Sequence, residues 1–201
     1  MSVSQSSNDC IYNLISQTAQ NFPNHKAITF IKAMAPSFLD DTLTYKQLLS
    51  CVNQTARMLR DQTNTENGKP PVISFLLPNI PQANCILWAA ETIGIANPLN
   101  PLLSEDALCA LMEKAGTDII VALGPNPMSD IWQKSVAVSQ RLAKRPKVIS
   151  TFIPAGKEFD HYDDVIKQFS DEDLPQQWLP KADDVAAYFH TGGTTGTPKL
   201  A

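Results

Sequence analysis

Cationic charge is in short supply: 16 Lys and Arg face 20 Asp and Glu, for a formal net charge of −4. No basic surplus is left to neutralise a phosphate backbone, which argues against nucleic acid as the main partner. Long apolar runs are also missing. The longest, around Val72–Leu77 and Ile86–Ala90, fall far short of the ~20 residues of a membrane span. The first residues, Met-Ser-Val-Ser-Gln-Ser-Ser-Asn-Asp, carry neither a cationic start nor an apolar stretch, so no signal peptide is expected. The four cysteines, Cys10, Cys51, Cys85 and Cys109, form no CxxC pair. The expectation is reduced, half-buried thiols in a cytoplasmic protein. With only 3 histidines, no His/Cys/Asp group has metal-ligand spacing, and no metal site of the protein's own is expected. Glycine is scarce as well: 8 of 201 residues against 15 prolines, where average usage favours glycine at about 7% over proline at about 5%. A cluster of glycine therefore needs a reason.

The chain does have apolar mass. Its hydrophobic fraction is 43%, an ordinary globular value that excludes disorder, collagen-like repeats and a disulfide miniprotein. Helical spacing predicts a first helix after Asn8-Asp9 with Ile11, Leu14 and Ile15 on one face, ended by Pro23. An extended run at Ala27–Ile31 leads to a polar loop through Pro36 and Asp40-Asp41. Thr44 is placed to cap a second helix carrying Leu48, Leu49, Val52, Ala56 and Leu59. Beyond Pro70-Pro71, apolar strands and helices alternate. The strands are Val72–Leu76, Ile95–Asn97, Asp118–Leu123 and Lys147–Phe152. The helices start near Pro81, at the Ser104 cap and at Asp130, and Gly116 is placed to stop the second of these. Continuous apolar strands in this alternation predict α/β architecture with a layered parallel sheet covered on both faces. A polar stretch with one short helix, Tyr162–Phe169, precedes a final strand at Val185–Phe189. His25 and His161 are expected in surface loops, Asp40-Asp41, Asp163-Asp164 and Asp183-Asp184 as solvated caps and loop ends, and Trp88 and Trp132 in the core.

Three of the eight glycines fall within positions 192–196, in the run Tyr188-Phe-His-Thr-Gly-Gly-Thr-Thr-Gly-Thr-Pro-Lys199. Each residue type suits a polyphosphate. Glycines let consecutive N–H groups converge on one oxygen. Thr191, Thr194, Thr195 and Thr197 offer uncharged donors, and Lys199 a compact cation. The mononucleotide pattern Gly-x4-Gly-Lys-Ser/Thr does not fit, because counting from Gly192 puts Thr197 and Pro198 where Gly-Lys should stand. The GxGxxG pattern fails too, because Pro198 follows where a helix should begin. A Gly/Thr hairpin without ligand is the bland alternative. His190, just before the loop, is a candidate contact to phosphate or to a substrate carboxylate, weighed against a strand-end histidine bonded to backbone.

Thr191-Gly192-Gly193-Thr194-Thr195-Gly196-Thr197-Pro198-Lys199 resembles the phosphate-loop signature of the AMP-forming adenylating enzymes, usually Thr-Ser-Gly-Thr-Thr-Gly-x-Pro-Lys-Gly. Leu43-Thr44-Tyr45 with Leu48 resembles the family's early Leu-Thr-Tyr-x-x-Leu. Leu77-Pro78-Asn79 and Ile95-Ala96-Asn97-Pro98-Leu99-Asn100-Pro101 resemble its Leu-Pro-Asn and Val-Pro-Leu-Asn-Pro stretches. The likeness runs from about Cys10 onward and is greatest to acyl-CoA synthetases. Gly192 replaces the usual serine, and Leu200 the usual glycine.

The resemblance implies ATP with Mg²⁺, a carboxylic acid substrate of the fatty-acid type, an acyl-adenylate and transfer to coenzyme A. It implies that Thr191, Gly192, Gly193, Thr194, Thr195, Gly196, Thr197, Pro198 and Lys199 hold the phosphates. It also implies that the adenine and ribose contacts, the C-terminal domain and its catalytic Lys lie beyond Ala201. Residues 1–201 then read as the N-terminal part of an adenylation domain. Within it, 10–70 is a leading segment, 71–152 the βα repeats and 185–201 a strand plus loop. Such a piece is expected to lack turnover alone and to need its missing portion or a complementing chain. The strand returning from the loop is expected to be absent. A non-catalytic nucleotide-binding or interaction module is the alternative; an independent NTPase is weaker, since neither phosphate-loop pattern fits.

Overall fold

The computed structural model describes residues 10–33, 39–63, 68–191 and 199–201. Four strands form one parallel sheet: β3 (Val72–Leu76), β4 (Ile95–Pro98), β5 (Ile119–Leu123) and β6 (Lys147–Thr151), in the order β4-β3-β5-β6. β3 and β5 are buried at every position, as central strands covered on both faces must be. Their alternate side chains enter two cores. Ile73, Phe75, Ile119 and Val121 join one with residues of α1 (Ile11–Asn21), α2 (Tyr45–Asp61) and α3 (Pro81–Ile93). Leu76, Ile120 and Ala122 join the other with residues of α4 (Glu105–Ala115) and α5 (Ile131–Arg141). The result is a doubly wound helix–sheet–helix sandwich, the α/β class expected.

Local chemistry sets the helix ends. Thr44 caps α2 through a reciprocal capping box with Gln47, worth about 1 kcal/mol. The Ser104 hydroxyl accepts from the Ala107 N–H at the start of α4, and Gly116, at φ 73°, ends that helix in the left-handed region, where glycine is favoured. Pro81 occupies the first turn of α3. A polar chain runs through the sheet: the Asn97 amide donates to Ser74 Oγ at 2.7 Å, and the Ser74 and Thr117 hydroxyls lie 2.7 Å apart.

Several expectations need correction. Leu14 is half exposed, and α1 instead buries Tyr12, Ile15, Ser16 and Ala19; the Tyr12 hydroxyl accepts from the Leu174 N–H. The cap position of α1 is Cys10, while Asn8 and Asp9 lie outside the described residues. Asp40-Asp41 belong to a strand, not a loop: β2 (Leu39–Thr44) pairs antiparallel with β1 (Lys26–Ala33). Ladder hydrogen bonding and Leu43 packing outweigh the poor strand propensity of aspartate. The short helix near Tyr162 is α6 (Tyr162–Val165), continued by a 3₁₀ turn at Ile166–Gln168.

Gly94, between α3 and β4, permits a close approach. A Cβ there would run into the Pro71 carbonyl oxygen and ring, and Ile95 N–H donates to that same oxygen. Gly94→Ala should therefore destabilise the chain by about 1–3 kcal/mol, read as a lower urea midpoint with an unchanged slope.

Candidate functional site

The segment that carries the Gly/Thr run is docked on the free edge of β4. Ala96 N–H donates to the Ala186 carbonyl at 2.9 Å, and the Ala96 carbonyl accepts from Tyr188 N–H at 2.8 Å. This is a parallel bridge between Ala96 and Ala187. The expected strand Val185–Phe189 is thus reduced to a single bridge, with Val185 and Phe189 about half exposed. The polar, loop-rich approach through Asp183-Asp184, where Lys181 N–H donates to Asp184, leaves little apolar surface to hold a longer ladder. Because the bridge is parallel, the chain runs on in the direction of the four strands, toward the carboxyl ends where α/β sheets bind ligands.

The next residues form β7 (His190–Thr191), paired antiparallel with β8 (Lys199–Leu200) in the register His190↔Leu200 and Thr191↔Lys199. Phe189 and Ala201 exchange a reciprocal pair of backbone hydrogen bonds at 3.1 and 2.7 Å. The returning strand, expected to be absent, therefore begins within the chain and closes the loop at its base. Directly opposed residues share a face, so Thr191 and Lys199, both exposed, lie on the same face of the strand pair. The Thr191 hydroxyl also points at the Lys199 carbonyl, 3.5 Å away. The loop residues between them, Gly192, Gly193, Thr194, Thr195, Gly196, Thr197 and Pro198, lie outside the described residues. Half-buried His190 is paired across from Leu200, one position before Thr191.

Leu200 has a structural use that the sequence did not suggest. Its side chain packs on the apolar cluster of Val72, Ile95 and Ala115 together with Tyr188, and also reaches the α4–α5 core. A glycine there would leave β8 without a side-chain anchor.

At the same carboxyl edge, a missed residue holds the loop after β4. Lys134 of α5 donates to the carbonyls of Pro101 at 2.8 Å and Leu103 at 3.3 Å, and pairs with Asp130 at 3.1 Å. Its side chain is only 12% exposed. A lysine on an amphipathic helix gives no sequence signal of such a clamp. Asp163 was expected to be a solvated cap and is instead a hub. It accepts from Gln82 Nε2, the Thr151 hydroxyl and the Phe152 N–H at 2.9–3.0 Å. Burial pushes its carboxyl up, but those donors outweigh it and hold the group below the usual carboxylate range. Phe152 itself sits at φ 67°, a conformation costly for a non-glycine residue. His161 is likewise not a surface loop residue: its ring contacts Ser150 Oγ at 3.2 Å and lies 3.5 Å from Asp163. His25 is exposed and stacks on Phe22. Trp132 is buried, edge-on to Phe159, and Trp88 packs partly buried against the first core.

Among the described residues no group of His, Cys, Asp or Glu is arranged to hold a metal, and no helix is long and apolar enough to cross a membrane. The described donors at the loop base, a hydroxyl and a lysine ammonium, suit a phosphate.

A parallel sheet covered on both faces, with the antiparallel pair β7–β8 following a segment bridged to one edge, defines a layered α/β protein. The family model for AMP-binding enzymes matches residues 15–201, and the chain belongs to that family. Over 129 residues, 64% of the chain, it is 33% identical to marinolic acid–CoA ligase of Pseudoalteromonas sp. (strain SANK 73390), covering 20% of that protein. It is 26% identical to acetyl-coenzyme A synthetase of Helicobacter acinonychis (strain Sheeba), covering 94% of this chain and 29% of that one. Among solved structures, anthranilate CoA ligase AuaEII in complex with anthranoyl-AMP superposes with a TM-score of 0.79 at 13% identity, over 97% of this chain and 34% of that one. The chain thus spans less than a third of the curated relatives and about a third of this neighbour. At such identity the superposition speaks to the fold, which is that of the adenylate-forming enzymes' large domain.

Two outcomes follow from this geometry. Leu200→Ala should lower stability by about 1 kcal/mol, since it re-exposes part of one leucine, and should speed amide exchange at Phe189 and Ala201. As for pH, a depressed carboxyl stabilises fully above its unfolded value of about 3.9 and loses that contribution as acid protonates the folded group. Asp163→Asn should therefore flatten the fall in stability below about pH 4, measured by urea unfolding across pH.

Proposed function

We propose that this chain supplies the phosphate-binding part of an AMP-forming acid–thiol ligase. In that reading the intact enzyme joins a carboxylic acid to the α-phosphate of ATP, releases pyrophosphate, and passes the acyl group from the acyl-adenylate to coenzyme A. Membership of the AMP-binding family is the ground. The opposition of Thr191 and Lys199 at the loop base is the observation that carries the site.

Each residue has a task set by its chemistry. The N–H groups of Gly192, Gly193 and Gly196 converge on β- and γ-phosphate oxygens, with the hydroxyls of Thr191, Thr194 and Thr195 as further donors. Thr197 and Pro198 belong to the same phosphate-holding run, and Lys199 offsets the charge that develops as pyrophosphate leaves. Mg²⁺ arrives bound to ATP and shares that neutralisation. His190, one residue before the loop, is placed to contact a phosphate or the substrate carboxylate. A carboxylate is a weak nucleophile, so rate comes from positioning and charge stabilisation. A loop base closed by the paired strands β7 and β8 serves both. The acyl group belongs to the class of small carboxylic and fatty acids used by CoA ligases, and the reaction is placed in the cytoplasm.

ATP–pyrophosphate exchange with a panel of fatty acids tests this reading. The 201-residue chain alone should give no exchange; measurable exchange would refute its dependence on further residues. In a ligase chain of the length of its relatives, Lys199→Ala should lower exchange by on the order of 10²–10³. An unchanged rate would remove Lys199, and with it the loop assignment, from the mechanism.

A further inference from the structure

A groove of about 620 Å³ runs past the starts of β3 and β4, at the amino edge of the sheet where α2 ends. That volume is in the range of small-molecule sites. Pro71, Ile95 and Tyr188 give it an apolar lining. Arg60, in the last turn of α2, projects into it over the face of Trp178, with its guanidinium carbon 4.4 Å from the ring centroid. Trp178 belongs to the 3₁₀ turn Gln176–Trp178.

The charges in the groove do not balance. Arg57, one turn earlier on α2, spends its N–H groups on the carbonyls of Glu172 and Asp173. Arg60 donates to no acceptor among the described residues. The carbonyls of Met58 and Leu59, which an arginine at a helix end can cap, are taken by the Gln62 N–H and the Thr63 hydroxyl. Lys69, exposed on the same groove, meets no carboxylate among the described residues. Against these two cations stands one lining acid among the described residues, Asp184, which accepts from the Lys181 N–H. In the adjoining hollow, Asp118 and Lys144 satisfy each other. On a chain of net charge −4, this is a local excess of positive charge. A guanidinium stacked on an indole is partly oriented before any ligand arrives, which lowers the ordering cost of binding. Its planar fork matches a carboxylate or a phosphate, and Lys69 adds a point charge.

We propose that this groove is a second ligand site, for an amphipathic organic anion. Its carboxylate or phosphate head meets Arg60 and Lys69, and its apolar body lies along Pro71, Ile95 and Tyr188. The site is at the end of the sheet opposite the Gly/Thr loop and does not rest on the reading of that loop.

Titration calorimetry of the whole chain with naphthoate, naphthyl phosphate and the neutral naphthamide tests the proposal. One or both anions should bind saturably, the tighter naming the head group, and the amide should bind about tenfold more weakly. Arg60→Gln should weaken the anion by about tenfold and Lys69→Gln by about threefold. Lys157→Gln, on the loop after β6, should leave it unchanged. Backbone and indole N–H signals in NMR spectra should move most at Gly94, Ile95 and Trp178 when the anion is added. No binding, equal affinity for anion and amide, an affinity that neither groove variant alters, or shifts confined to Phe189 and Ala201 overturns the proposal. Lys69 is exposed, so its variant and the spectra decide even where Arg60→Gln fails to fold by circular dichroism.

Discussion

Two hydrogen bonds on the backbone of Ala96, one donated to Ala186 and one accepted from Tyr188, determine where the Gly/Thr segment begins. Each such bond is worth only about 1 kcal/mol net, so the docking is light and needs help from side chains. Tyr188 and Leu200 provide it by packing on Val72, Ile95 and Ala115. The bridge is possible because β4 is an edge strand with unpaired backbone groups. β4 is at the edge because β3 and β5, buried along their whole length, occupy the middle, where both faces are covered. The position of the Gly/Thr segment thus traces back to which strands can tolerate no water.

That dependence also explains the polar residues inside the sheet. Ser74, Asn97 and Thr117 are almost wholly buried, and unpaired they would cost about 1–3 kcal/mol each. Their mutual bonds at 2.7 Å tie β4 to β3, and β3 to the turn before β5. A register slip of one residue would break this chain and turn the apolar side chains to the wrong core. Asn97 lies next to Ala96, so the same contacts that fix β4 in register fix the edge on which the loop segment docks.

Much of the scaffold was legible because its signals are local. Thr44 with Gln47, Ser104 and Gly116 mark helix ends through the backbone groups they satisfy, and the apolar runs at 72–76 and 119–123 have no choice but burial. The misreadings involve residues whose role depends on distant partners. Asp163 looks like a loop acid until Gln82, Thr151 and Phe152 are brought to it across the fold. Asp40-Asp41 looks like a turn until β1 supplies a ladder. Leu14 fits the spacing of an apolar face, yet the neighbours of α1 cover Tyr12 and Ala19 instead. The Val185–Phe189 run has strand composition, but only one of its residues finds a partner on β4. At the candidate site, the residue types were readable and the anchoring by Leu200 was not.

Lys134 shows how the scaffold and the site meet. An ammonium only 12% exposed carries a desolvation cost that must be met by nearby oxygens. It finds two carbonyls, of Pro101 and Leu103, and the Asp130 carboxylate. Those carbonyls belong to the loop leaving β4, the strand whose other edge receives the Gly/Thr segment. A buried cation satisfied mainly by backbone holds the path of the chain rather than any one side chain, because removing it would leave carbonyls unpaired in a partly dry site. The β4 region is therefore pinned on both sides: by Lys134 where the strand exits, and by the Ala96 bridge along its edge. Both contacts fix the edge on which the segment leading to β7 docks.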